Sequence, residues 1–143
     1  MSEEKKTDQA AKQTKDAAYG RISLHENGII YVAMKDFTPL NLENAKQLVA
    51  DVQSIDSSGQ ALLLIESGQD IEATFEAQRY LGTVGGLSHL ALVVHNKMQS
   101  QIATFFLSMM RAFRSPYEMK VFYQTEHAEI WLLNTKRPST SGA

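Results

Sequence analysis

Ionisable and polar residues directly follow the apolar runs of this sequence, at the points where strands would end. These residues are Asp36, Glu66, Ser67, His95 and Asn96. The carboxyl ends of parallel strands meet at one edge of a sheet, where ligands commonly bind. A histidine near carboxylates is suited to general base catalysis or metal binding. The alternative is that these are solvated strand-end residues. Because no HExxH pattern, phosphate loop or nucleophile elbow accompanies them, we predict a polar rim without catalytic residues, metal site or cofactor.

A second set of residues is apolar and belongs to one predicted helix within residues 96–116. Its members are Met98, Ile102, Phe105, Phe106, Met109, Met110 and Phe113. At 100° per residue they cover a broader arc than packing on one sheet requires. Methionine and phenylalanine together form an adaptable apolar surface. The arc is consistent with a buried helix, a homodimer interface or a pocket for an apolar ligand. Arg111 and Arg114 could meet an anionic headgroup or form the solvated side of the helix.

The string Asp56-Ser57-Ser58-Gly59 lies between a predicted helix and the apolar run 61–66. Glycine readily adopts the left-handed conformation that closes helices, and aspartate and serine are common turn residues. The string therefore predicts a helix stop and a polar turn.

Composition excludes several functional classes. The 143-residue chain is 43% hydrophobic and 21% charged, contains no cysteine and has a formal net charge of −2. Without cysteine, disulfides, thiolate metal sites and cysteine nucleophiles are excluded. A mildly acidic chain without a basic stripe is unsuited to nucleic acid. No apolar run is long enough to span a membrane, and no signal peptide is recognisable. We therefore expect a cytoplasmic protein.

The segments that position these residues alternate between the two-residue period of β-strands and the 3.6-residue period of α-helices. Asn27-Gly28 joins two alternating runs and predicts a β-hairpin over residues 20–26 and 29–34. Four helical patterns then alternate with strands at 61–66, 87–94 and 117–123, the second helix starting near Asp70. This order predicts an α/β fold with a five-stranded, mixed, mostly parallel sheet and about four helices. We assign residues 1–18 to a disordered leader, 19–135 to the domain and 136–143 to a flexible tail.

Several segments carry a resemblance to a known fold family. They are "ENGIIYV", "ALLLIE", "LALVV" followed by "IATFFL", and "VFYQTEHAEIWL". Their order resembles the STAS domain of bacterial anti-sigma-factor antagonists, and more narrowly small uncharacterised bacterial STAS-like proteins that are also likened to the CRAL-TRIO lipid-binding fold. The resemblance implies a non-enzymatic interaction or regulatory module, with lipid-like ligand binding as the alternative.

The resemblance does not extend to a phosphorylated serine. In the antagonists that serine follows a central strand and opens a helix, whereas Asp56–Gly59 precedes the strand here. At the corresponding position stand Asp70, Glu72 and Thr74, and acids there would repel a phosphate. Whether Ser67 or Thr74 is phosphorylated is left open by the sequence.

Two apolar strands, 61–65 and 90–94, predict a sheet covered on both faces. Because most helices of a STAS-like fold lie on one face, the other needs a cover from this chain or from a second copy. We therefore predict self-association as a homodimer. The further expected partners are another protein or an apolar small molecule. The last alternative is an enzyme that uses the rim around Glu66 and His95.

Overall fold

The computed structural model describes residues 11–135, with side chains from Gln13 onward. The strands are β1 Ala11–Ala17, β2 Gly20–His25, β3 Ile29–Met34, β4 Pro39–Leu40, β5 Gln60–Glu66, β6 Glu72–Ala73, β7 Gly86–Val93 and β8 Glu118–Phe122. The helices are α1 Leu42–Ile55, α2 Phe75–Thr83, α3 Lys97–Phe113 and α4 Thr125–Thr135. The α/β class, the hairpin of β2 and β3 and the four helices are confirmed for this part of the chain, but β1 and not the hairpin opens the domain.

The main sheet is mixed and mostly parallel, as predicted. Its strand order is β1-β2-β3-β5-β7-β8. The pairs β1/β2 and β2/β3 are antiparallel, and the remaining pairs are parallel. The predicted count of five strands was wrong, because the sheet has six and a separate two-stranded sheet joins β4 to β6. The additional strands contain few large apolar residues, so periodicity did not mark them.

Strand β1 corrects part of the predicted leader. Residues 11–17 pair with β2 from Ala17 opposite Gly20 to Ala11 opposite His25. An edge strand can be held by its backbone ladder without burying large side chains, which explains why a polar sequence forms it. Residues 1–10 of the predicted leader and the predicted tail 136–143 lie outside the described residues, so both remain predictions there.

The first face of the sheet carries the larger core. Ile22, Ile30, Val32, Leu63 and Leu90 pack there against α1 and α3. Helix α2 packs between α1 and α3. Asn41 caps α1 by accepting from the backbone N–H of Asn44 at 2.8 Å. These three helices therefore form the layer on the first face of the sheet.

The second face is covered by α4 of the same chain. Ala128 and Leu132 of α4 pack on Ile29, Leu62 and Leu64, as well as on the neighbouring apolar residues of β7. Consecutive leucines of β5 thus point to opposite faces of the sheet. Because both faces are covered, the sequence of the strand is a continuous apolar run. Since α4 already covers this face, the argument that a second copy must cover it no longer applies.

The second helix starts later than predicted. Thr74 is the N-cap of α2, and its hydroxyl accepts from the backbone N–H of Ala77 at 3.1 Å. Asp70 instead adopts a positive φ of 50° in the preceding loop. Aspartate tolerates this conformation better than most residues do. The loop then continues into β6 before the helix begins.

Candidate functional site

An apolar cavity lies between the first face of the sheet and helices α1, α2 and α3. Its volume is about 260 Å³, and side chains from all three helices and from β3, β5, β7 and β8 line it. The largest apolar side chains in its wall are Met34, Met98, Phe106 and Met119. The rest of the wall is mainly leucine, isoleucine and valine. A space with such walls offers bound water few hydrogen-bond partners.

The cavity opens at the carboxyl edge of the sheet. Exposed residues in its wall occur in the loop after β5 and in the first turns of α3, and include Gln69, Asp70, Met98 and Ile102. Met98 and Ile102 are 67% and 54% exposed. An apolar ligand that enters here would therefore pass between a polar loop and an apolar helix face. Ligands in open parallel sheets commonly bind outside this edge.

Gln99 joins the two loops that frame the opening. Its Nε2 donates to the carbonyl of Gly68 at 3.0 Å, and its Oε1 accepts from the backbone N–H of His95 at 2.7 Å. The N-cap residue Asn96 accepts from the backbone N–H of Gln99 at 2.9 Å. The start of α3 is thus tied to the loop after β5, so the opening has a defined shape.

The far wall of the cavity is fixed by Tyr117. Its hydroxyl donates to the carbonyl of Leu81, a cavity residue at the end of α2, at 2.5 Å. Burial raises the pKa of Tyr117, so the hydroxyl keeps the proton that it donates. The hydrogen bond thereby holds α2 against the strand side of the cavity.

The predicted apolar set of α3 divides into separate environments. Met98, Ile102 and Phe106 line the cavity. Met110 lies in the core at 2% exposure, and Phe105 faces outward at 64% exposure. The remaining members do not line the cavity, and all of them are at the end of the helix away from the opening. They are Met109, Phe113, Arg111 and Arg114.

The predicted polar rim is brought together only in part. His95 Nε2 lies 3.0 Å from Glu66 Oε2, and about half of each side chain is exposed. Ser67 and Asn96 line the cavity. Asp36 accepts from the backbone N–H of Gln69 at 2.7 Å, so it fixes a loop. Within residues 11–135, no group of three His, Asp or Glu residues is arranged to hold a metal ion.

The serine-rich string forms the predicted turn. Asp56 is the C-cap of α1, and its backbone N–H donates to the carbonyl of Val52. Asp56 Oδ1 accepts from the backbone N–H of Ser58 at 2.9 Å, and Gly59 has a φ of 82°. The string lies at the amino-terminal end of β5, whereas the cavity opens at the carboxyl end of the same strand. The turn interpretation is therefore confirmed.

Sequence reasoning missed most of the cavity wall. Met34, Leu40, Ile71 and Met119 come from four separate segments and line the cavity with α3. In the sequence, each of these residues resembles an ordinary core residue. A cavity is a space left between packed elements, and no single segment reveals it. The sequence feature that indicated a cavity was the breadth of the apolar arc on α3.

Comparison with known proteins gives a family and one solved structure. A crystal structure from Shewanella loihica PV-4, described as an uncharacterized protein from the DUF3478 family with a SpoIIAA-like fold, is 15% identical. The match covers 84% of this chain and 90% of that one, with a TM-score of 0.48. No curated protein matches significantly. No helix within residues 11–135 is long and apolar enough to span a bilayer. Residues 22–136 match the family described as "Domain of unknown function (DUF7793)", and the chain belongs to that family.

Proposed function

We propose that this protein binds a small apolar molecule in the cavity beneath α3. The observation that carries the proposal is a cavity of about 260 Å³ whose wall is mostly apolar and which opens to solvent. Close-packed interiors contain few voids larger than a water molecule. An open space of this size leaves its apolar wall in contact with water, and a bound apolar ligand would remove that surface from water.

The size and chemistry of the wall define the class of ligand. An engineered protein cavity of about 150 Å³ with similar walls stays dry and binds benzene. The present cavity of about 260 Å³ accordingly suits a bicyclic aromatic compound or a medium-length acyl chain. Polar atoms of Ser67, Asn96 and Gln99 stand at the opening, where a hydroxyl or carbonyl of the ligand would remain. The methionines of the wall allow it to adapt to ligand shape.

Thermal unfolding with naphthalene and 1-decanol tests this function. A ligand at ten times its dissociation constant adds about 1.4 kcal/mol to the free energy of unfolding, which raises Tm by about 3–6 °C for a chain of this size. Native mass spectrometry of the same samples should show one bound molecule per chain. If neither compound raises Tm or is retained, the cavity does not bind ligands of this class.

Two cavity-filling variants separate binding in the cavity from binding elsewhere. Ala103 is 3% exposed and lines the cavity, so Ala103→Phe directs a ring into it. Leu92→Phe enlarges another wall residue from the strand side. Ala112→Phe is the matched control, since Ala112 is exposed on the same helix and lies outside the cavity wall. Both filling variants should lose the Tm shift and the control should keep it. Wild-type shifts in both filling variants would refute the proposal.

Self-association is a second candidate function, which is favoured by the outer face of α3. Phe105 is 64% exposed and lies outside the cavity wall, so the cavity does not account for its exposure. Met98 and Ile102 lie at helical spacing from Phe105 on the same face of α3 and are exposed as well. Large exposed apolar side chains that are grouped in this way are typical of interfaces. Light scattering at tens of micromolar should give the mass of two chains, and Phe105→Asp should halve it. A wild-type mass of one chain would contradict this candidate.

A further inference from the structure

Three ionisable or nucleophilic side chains form a chain of hydrogen bonds at the opposite edge of the sheet. Ser88 Oγ lies 2.6 Å from His89 Nδ1, and His89 Nε2 lies 3.1 Å from Glu118 Oε1. Ser88 and His89 belong to β7, and Glu118 begins β8. The group is separate from the cavity wall.

A β-bulge allows two adjacent residues of one strand to meet. Ala61 pairs with Leu87 and the next residue, Leu62, pairs with His89, so Ser88 is the extra residue of β7. Neighbouring residues of a regular strand point to opposite faces, whereas a bulge redirects a side chain. Bulges of this kind occur frequently beside active sites. The distortion thus brings the Ser88 hydroxyl to the ring of His89.

The orientation and tautomer of His89 are set by its surroundings. Its ring packs edge-on against Trp131, with centroids 5.3 Å apart, and its side chain is 20% exposed. A carboxylate only accepts hydrogen bonds, so Nε2 carries the hydrogen that points to Glu118. Nδ1 then has its lone pair free and accepts from the Ser88 hydroxyl. This is the order nucleophile, base and acid that activates a serine.

The group faces a groove that is open to solvent. Ser88 and His89 form part of its wall, together with the turn residues Ser57 and Ser58. Leu24, Ile55 and Leu62 supply apolar surface in the same groove. A small uncharged molecule with a short apolar group can therefore approach the Ser88 hydroxyl.

We propose that Ser88 is an activated nucleophile that is acylated by small uncharged esters. Ser88 Oγ attacks the ester carbonyl carbon while its proton passes to His89 Nδ1. The bond to the leaving alkoxide then breaks, and the alkoxide takes that proton. Water, deprotonated by Nδ1, then attacks the acyl carbon, and the acyl–Oγ bond breaks to release the acid while Nδ1 returns its proton to Ser88 Oγ. Glu118 is a positioning residue, which holds the ring and stabilises its cationic form.

An acylated Ser88 differs from the expected non-enzymatic module, and no sequence motif indicated it. Ser88 and His89 are adjacent in the chain, and adjacency in a regular strand separates the two side chains. Only the bulge and the pairing of β7 with β8 assemble the three groups. The proposal is independent of ligand binding in the cavity, because the two sites lie at opposite edges of the sheet.

Labelling with a fluorophosphonate tests the nucleophile directly. Intact-mass analysis should show one adduct per folded chain, and peptide mapping should place it on Ser88. Ser88→Ala should abolish labelling, and His89→Gln should slow it by about 10²-fold or more, the usual contribution of a general base. Ser108→Ala is the control, since Ser108 donates to the carbonyl of Thr104 on α3 and should label at the wild-type rate.

Glu118→Gln separates positioning from a structural role. Because the Glu118 side chain is 76% exposed, its loss should leave the urea midpoint unchanged. The labelling rate and the hydrolysis of p-nitrophenyl acetate should nevertheless fall by about tenfold or more, since the cationic ring loses its counter-charge. Absence of an adduct on Ser88 in the folded chain, or equal labelling of wild type and His89→Gln, would overturn the proposal. In that case Ser88, His89 and Glu118 only satisfy one another's hydrogen-bonding groups.

Discussion

Replacement of Asp51 by alanine should destabilise the protein by about 2–3 kcal/mol. Asp51 is 5% exposed on α1, and its carboxylate accepts from Lys15 Nζ at 2.8 Å, Tyr19 Oη at 2.6 Å and Gln47 Nε2 at 2.9 Å. Tyr19 is fully buried, so its hydroxyl would lose its acceptor without gaining water, which costs about 1–3 kcal/mol. The Lys15 side chain is 57% exposed, and its ion pair contributes at most about 1 kcal/mol. Gln47 is exposed and returns to solvent.

Urea unfolding followed by circular dichroism measures this change. With a slope of about 1–3 kcal/mol per molar urea, the midpoint should fall by about 1 M or more. The matched control is Asp16→Ala on β1, the strand that also carries Lys15. Asp16 accepts from Arg21 Nε at 2.9 Å, and both side chains are mostly exposed, at 77% and 65%. The control should therefore change the free energy of unfolding by no more than about 0.5 kcal/mol.

A double-mutant cycle with Tyr19→Phe identifies the hydroxyl as the source of the cost. Removing both groups leaves no buried donor without an acceptor, so the double variant should be less destabilised than the sum of the single variants by about 1 kcal/mol or more. Additive effects, or an Asp51→Ala cost equal to that of the control, would refute the view that a buried hydrogen bond to Asp51 joins the β1–β2 turn to α1.

Other predictions follow from the same contacts and from backbone geometry. Burial raises the pKa of Asp51, but hydrogen bonds from Lys15, Tyr19 and Gln47 outweigh it and hold this pKa below its usual value. Because the pKa of Asp51 is lower in the folded state, the stabilisation by its carboxylate is complete above the unfolded pKa of about 3.9 and is lost as pH falls through the folded pKa. The difference in free energy of unfolding between wild type and Asp51→Ala should therefore shrink below about pH 4 in an acid titration. Gly20→Ala should cost about 3 kcal/mol or more, since φ is 146° and a Cβ would stand 2.0 Å from the Ala33 carbonyl oxygen. Gly85→Ala, with no atom within 4 Å of the added carbon, should stay within about 0.5 kcal/mol in the same denaturation assay, and equal effects of the two glycine substitutions would contradict the packing described. Tyr31→Phe should cost about 1 kcal/mol in urea unfolding, because the Tyr31 hydroxyl donates to Glu129 and joins β3 to α4, and an unchanged midpoint would show that this contact contributes nothing.

The apolar strands and amphipathic helices could be predicted because their patterns record local burial. Leu62, Leu63 and Leu64 are all buried in β5, and an unbroken apolar run predicts a strand covered on both faces. Asn27 and Gly28 marked the hairpin through the positive φ that Gly28 adopts. The polar strand β1 escaped prediction because it lacks large apolar residues in alternation, although its ladder with β2 is local. The contact of Lys15 with Asp51, which ties β1 to α1, is long-range and left no local pattern.

The sequence by itself determined the order of the four helices and of the five larger strands, the α/β class and the absence of cysteine chemistry. Local periodicity and turn residues are sufficient for these features, since each depends on neighbours within a few positions. The tertiary structure decided which face α4 covers, where the cavity opens and which groups meet at Ser88. Those features depend on strand register and on the space left between packed elements. Neither can be predicted from a single segment, because each depends on several segments that are distant in the chain.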